Sequence, residues 1–289
     1  MSIYDLFENK ENATFDKERW AAKKKAERQN AYTLIETTSA AMAENGDAFR
    51  QYLDVQSRFD RYSVSNAILI SAQMSTATQL KPFAEWKKSG VYVNRNAKKV
   101  MILEPGKEYT REDGSTGVSY NAKAVYDISQ TSAKQAEQEE TDIRNLVSAL
   151  IDASPVSFQI ADDLKGMTAF YDSEQDVIFI QDGLGEMQLF TGMSKEIAAA
   201  IYDKRHGESR EASTFKSYCV AYMLSKRYGM DVSDFQFEQV AGELKGLDQQ
   251  AFKGELNLMR DVLVEMQMDM QKTLHKEKNK PAKDKGQAR

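Results

Sequence analysis

Helical and extended periodicities come in blocks along this chain, and the blocks divide it in two. Residues 17–52 read as helix, because Ala, Glu, Lys, Arg and Gln dominate and no Pro or Gly interrupts before Gly46. Val64 to Gln73 gives a second, shorter helix, with Ala67, Ile68 and Ile70 toward its apolar side. Pro82 suits the first turn of a third helix, which carries Trp86. The period then drops to two. Val91–Val93 and Val100–Leu103 are β-type runs separated by Asn94–Lys99. Glu108–Thr110 and Val118–Tyr120 flank an Asp113-Gly114 turn signal, and Ala124–Ile128 is a last strand. The polar run Ser132–Glu140 is the best linker in the chain. Beyond it, a helix over about 141–152 stops ahead of Pro155. Strands follow at 157–160, 168–171 and 176–180, the last two joined by Asp172–Gln175. Helices are predicted at about 184–204, 209–228 and 235–273, and the Lys-rich stretch 275–289 reads as disordered.

The expected fold class is therefore α+β in two domains. Residues 1–133 supply helices with a small antiparallel sheet, 134–140 a linker, 141–273 a helical domain with a short sheet, and 274–289 a basic tail. A hydrophobic content of 41% suffices for a core, and no apolar run approaches the roughly 18 residues of a membrane span. Met1–Glu8 lacks the basic-then-apolar layout of a signal peptide. The lone Cys219 permits no intrachain disulfide, argues for a reducing, cytoplasmic setting, and reads as a small buried apolar residue. One Cys with His206 and His275 cannot assemble an ordinary structural zinc site. No cofactor is implied, and the oligomeric state is left open.

The net charge of −5 is unevenly spread. Residues 1–133 hold 19 basic and 17 acidic side chains, 134–274 hold 14 and 25, and 275–289 hold 6 and 2. The acidic half repels nucleic acid, so a polyanion would bind the N-terminal half or the tail. Within nineteen residues lie Lys81, Lys87, Lys88, Arg95, Lys98 and Lys99, around Trp86 and Tyr92. Basic residues interleaved with aromatics suit a single strand, whose phosphates need neutralising and whose bases need flat partners. The competing reading is an ordinary basic surface with Trp86 in the core. Tyr62 and Asn66 share a helix face at i,i+4, and Asn66 can bond a base edge or phosphate, or neighbouring backbone. Arg61 can meet DNA or pair with Asp54 or Asp60, as can Arg58. Gln130 and Thr131 read as fixing the end of the final strand. The methionines at 223, 259, 266, 268 and 270 read as core filling, and His206 as surface.

A helix opening after the strand at 176–180 carries Lys195-Glu196-Ile197-Ala198-Ala199. A zinc peptidase would have His-Glu-x-x-His there, with two imidazoles on the metal and the glutamate activating its water. Only Glu196 survives. A protonated lysine cannot ligate a metal, so Glu196 reads as a structural carboxylate paired with Lys195 or a nearby base.

Arg61-Tyr62-Ser63-Val64-Ser65-Asn66-Ala67 resembles the opening of the N-terminal domain of ArdC-type antirestriction proteins and of the related LtrC-like proteins of conjugative elements. The likeness runs on through Gln73, Ala77-Thr78, Phe83-Ala84-Glu85-Trp86, Gly90-Val91, Lys98 and Ile102-Leu103-Glu104-Pro105 to Val125-Tyr126-Asp127-Ile128-Ser129-Gln130-Thr131. Asn96 stands where the family has a glycine in the 94–99 loop. The second half is similar to the family's zinc-peptidase-like domain, through Tyr171-Asp172, Val177-Ile178, residues 186–196, Val220-Ala221-Tyr222 and Arg227-Tyr228-Gly229-Met230-Asp231. In that alignment the two histidine positions fall on Lys195 and Ala199, and the third ligand, a glutamate, on Tyr218.

The resemblance implies a zincin-like second domain without its metal or its peptidase activity. It further implies a first domain that binds single-stranded DNA, in a protein of a mobile genetic element that protects incoming DNA from host restriction. Two rivals stand beside it. One is an inhibitor that engages a host restriction or defence protein through the acidic half, and the other is an active metallopeptidase with a different ligand set.

Overall fold

The structure, a computed structural model, describes residues 17–111, 113–134, 141–238 and 244–278. Two helices, α1 (Lys17–Glu44) and α2 (Gly46–Arg58), replace the single one expected over 17–52. Asn45 divides them. Its backbone is extended, and its side-chain oxygen accepts the N–H groups of Asp47 (2.8 Å) and Ala48 (3.0 Å), which a continuing helix would leave to the preceding turn. Helix α3 (Val64–Met74) is capped by Ser63, and α4 (Phe83–Lys88) follows Pro82, which is the cap rather than a first-turn residue.

The strands β2 (Val100–Thr110) and β3 (Thr116–Asp127) form one long hairpin about the Asp113-Gly114 turn. The two runs expected as separate strands at 118–120 and 124–128 are thus one strand, and Ile128 already belongs to a single 3-10 turn, Ile128–Gln130. Nor is 91–93 a strand. Of it only Val93 bridges, to Thr131. The short β1 (Leu80–Lys81) pairs with the end of β3, so the sheet runs β1-β3-β2, all antiparallel.

In the second half, α5 (Ile143–Ala153) precedes β4 (Ser157–Ala161), β5 (Ala169–Asp172) and β6 (Val177–Gln181). Their order is β4-β6-β5, with β4 parallel and β5 antiparallel to β6. Helix α6 (Glu186–Ile201) runs into a π-type turn, Tyr202–His206, which Gly207 closes at φ 68°. Helices α7 (Arg210–Arg227) and α8 (Gln249–Lys278) complete the described chain. The helix expected from 235 is absent over 235–238 and 245–248, and its long run begins at Gln249. Phe235 and Phe237 sit in a loop instead, packed against Tyr218 and Tyr222. Residues 275–278, expected to be disordered, continue α8. The linker positions 135–140 and the tail positions 279–289 lie outside the described residues.

One apolar core joins both halves, running from Ile35, Phe49 and Leu53 to Tyr222, Leu256 and Leu263. Helix α2 packs on α7, and α3 and α1 touch α8. A polar belt rims this seam. Tyr222 donates to Asp54 at 2.6 Å, Arg227 to the Ser57 carbonyl at 3.0 Å, and Arg260 to the carbonyls of Tyr62 (2.9 Å) and Asp60 (3.2 Å). Cys219 is fully buried on α7, and burial pushes its thiol pKa well up. Met223, Met259, Met266 and Met270 fill the core as expected, but Met268 is 58% exposed. No helix among the described residues is long and apolar enough to cross a membrane.

Candidate nucleic-acid interface

Trp86 is a pillar rather than a stacking face. It is 2% exposed, its indole N–H donates to the Tyr126 carbonyl at 2.9 Å, and the Lys81 ammonium lies 4.8 Å from its ring centroid. The Val91 N–H then returns to the Trp86 carbonyl at 3.0 Å and folds the following loop back. That loop is clamped to the 3-10 turn after β3. Tyr92 and Ser132 exchange two hydrogen bonds (3.0 and 2.8 Å), Asn94 donates to the Gln130 carbonyl (2.8 Å), and the Gln130 amide donates to the Lys98 carbonyl (3.0 Å). Gln130 and Thr131 therefore close the end of the strand. The side chains left pointing outward include Lys87, Lys88, Arg95, Lys98 and Tyr92, the last 71% exposed. Lys99 is 3.5 Å from Glu27 of α1. Phe83, which the sequence offered within the resemblance run Phe83–Trp86 but not as a contact, is 54% exposed and sits edge-on to Tyr126 at 6.5 Å.

The α3 candidates separate. Asn66 is 8% exposed, and its amide bonds to β2 through both ends, donating to the Leu103 carbonyl (2.8 Å) and accepting the Leu103 N–H (2.7 Å). Two turns on, Gln73 treats Met101 the same way, with both bonds 2.9 Å long. β2 is an edge strand, and these amides present to it the donor–acceptor pairs that a further strand would supply. Asn66 thus takes the backbone-bonding alternative, buried against β2. Tyr62 is half-buried, edge-on to Phe59, with its phenol pKa raised by burial. Arg61 is exposed, whereas Arg58 donates to the carbonyls of Ala77 and Ser75.

Asp127 ties the base of the interface together. Its buried carboxylate accepts the N–H groups of Thr78 (2.8 Å), Gln79 (2.9 Å) and Ser129 (3.0 Å). Burial pushes its pKa up, but the hydrogen bonds from Ser129, Gln79 and Thr78 together outweigh burial and hold it below the usual carboxylate range.

In the second half Glu196 is 2% exposed and filled with partners. Arg210 grips it with two bonds of 2.7 and 2.9 Å, and the edge-strand N–H of Tyr171 donates at 2.9 Å. The Lys195 ammonium is 3.7 Å away, and the guanidinium lies 4.5 Å from the Phe170 ring centroid. The nearby base is thus mainly Arg210, fourteen residues on and across a turn, where no local spacing rule reaches. Ala199 is buried, and the Tyr218 hydroxyl accepts the Gln236 N–H at 2.7 Å. An ammonium, a methyl group, a phenol and a carboxylate already paired with a guanidinium do not fit a metal ion. Among the described residues no three His, Cys, Asp or Glu side chains are grouped to hold one.

No family model matches the chain, and no curated protein matches it. Crystal structures that share its fold include two of the antirestriction ArdC protein from plasmid R388. The metal-free form aligns with a TM-score of 0.52 and 14% identity, over 73% of this chain and 86% of that one. The Mn(II)-bound form aligns with a TM-score of 0.51 and 12% identity, over 86% of this chain and 99% of that one. The likeness reaches into both halves and establishes an ArdC-like α+β fold.

Proposed function

We propose, from this ArdC-like fold, that the chain is an antirestriction protein of a plasmid or other mobile element that binds single-stranded DNA. In this reading the peptidase-like half is kept as a scaffold without catalysis. The observation that carries the proposal is the outward-facing set on α4 and the clamped loop. Lys87, Lys88, Arg95 and Lys98 flank the exposed Tyr92 in sequence and are themselves exposed, and between 81 and 99 only Glu85 opposes them. Cations on a preordered loop neutralise phosphates, and an exposed ring stacks on a base whatever its identity. The catalytic half of the proposal rests on Glu196, which has no vacant oxygen to activate water while Arg210 and Tyr171 hold it.

The inhibitor reading draws on the acidic second half. Several of its carboxylates, among them Glu208, Glu255 and Glu265, sit in internal ion pairs, which weakens the field available to imitate DNA.

The test is fluorescence anisotropy of a labelled single-stranded oligonucleotide against a duplex, over a range of salt. Preferential single-strand binding is expected, with a log–log salt slope of about −0.7 per phosphate contacted. Equal affinity for duplex, or none for either, rejects the proposal. Transfer of unmodified plasmid into a restricting host, with and without the gene expressed there, tests the antirestriction role.

A further inference from the structure

We infer that Phe83 and Tyr92, not Trp86, are the base-stacking residues of this interface. The inference rests on the single-strand reading above and specifies its contacts. Trp86 has the largest ring of the region but presents no face to solvent. Phe83 and Tyr92 present theirs, at 54% and 71% exposure. Phe83 stands on the edge of Tyr126, on a helix anchored through the Trp86–Tyr126 hydrogen bond. The main chain of Tyr92 is held on both sides by Ser132. Both anchors belong to the single segment Tyr126–Ser132, which supports the Phe83 ring and the Tyr92 main chain together. A ring so backed and a main chain so clamped have less freedom to lose when a base arrives, which favours affinity.

Charge separates these rings from the exposed tyrosines of the β2–β3 hairpin. Lys87 lies one turn from Phe83, and Arg95 and Lys98 follow Tyr92 in the same loop. Tyr109 and Tyr120, 51% and 41% exposed on the hairpin, lie in a stretch, 104–123, where Lys107, Arg111 and Lys123 are outnumbered by Glu104, Glu108, Glu112 and Asp113. Tyr109 also packs across Gly117, where an added Cβ would come within 2.7 Å of its ring. It is therefore a strand-pairing residue.

The test uses the full chain with oligo-dT and with an abasic oligonucleotide of equal length. The wild type is expected to prefer the oligo-dT. Phe83→Ala and Tyr92→Ala are each expected to weaken oligo-dT binding roughly five- to hundredfold, the range of one stacked base. Both should leave the salt slope unchanged, and the double variant should no longer tell oligo-dT from the abasic strand. Lys98→Gln should instead lower the slope by about 0.7. Tyr92→Phe should bind as wild type. A double variant that still discriminates as the wild type does overturns the inference and leaves the single-strand reading standing. A wild type that binds neither oligonucleotide at low salt overturns both.

Discussion

Arg210 supplies two of the three strong donors that hold the Glu196 carboxylate. Arg210→Ala leaves a 2% exposed carboxylate with one N–H and a distant ammonium. The expected loss is about 3 kcal/mol, toward the lower end for a broken buried pair because the arginine itself is 18% exposed. Chemical denaturation measures it. The double change Glu196→Gln with Arg210→Met should recover most of the loss, because no charge is then stranded. Asp127 gives a prediction in pH. Its folded pKa is depressed, so its contribution is complete above the ordinary carboxylate pKa and is lost as pH falls through the lower, folded value. Asp127→Asn should flatten the acid limb of a stability–pH curve. Single residues were legible where chemistry is local, as Gln130 is at a strand end. Asn66 and Arg210 were not, because their partners, Leu103 and Glu196, are set by tertiary contact.

Between elements, the approach of α2 to the 235–237 loop depends on Gly46. A Cβ there would stand 2.2 Å from the Phe237 carbonyl oxygen, which backbone cannot easily yield. Gly→Ala in a helix normally stabilises by up to about 1 kcal/mol. Gly46→Ala is expected to reverse that sign and destabilise by about 1–3 kcal/mol, the range for overpacking. A raised melting temperature would show that the loop moves aside freely. Most element positions were readable from period and turn chemistry, including α3, the Asp113-Gly114 hairpin and the three strands of the second sheet. The misreadings share a cause. Phe235 and Phe237 alternate so as to face Tyr218 and Tyr222, and Asn45 stops a helix through its own side chain. Composition over a window averages both signals away.

At the scale of the molecule, a strong composition boundary coexists with a shared core. The charge shift and the polar run near 132–140 suggest two units, yet α2 lies on α7, and Tyr222, Arg227 and Arg260 reach across to residues 54–62. Helix–helix seams of this kind leave no mark in either partner's periodicity, which shows only that a face is apolar. The seam predicts that near-ultraviolet and far-ultraviolet circular dichroism follow one coincident unfolding transition in urea. Two separated transitions would mean that the halves melt independently.

Cys219 turns that seam into a clock. The only thiol of the chain is sealed on α7, the helix against which both α2 of the first half and α6 of the second pack. A thiol reagent can reach it only while the seam is parted. At low reagent, where reclosing outpaces labelling, the rate reads the equilibrium cost of opening, and at high reagent it reads how often opening occurs. Repeating the measurement with oligonucleotide bound would show whether a ligand held at the far loop tightens the joint between the halves.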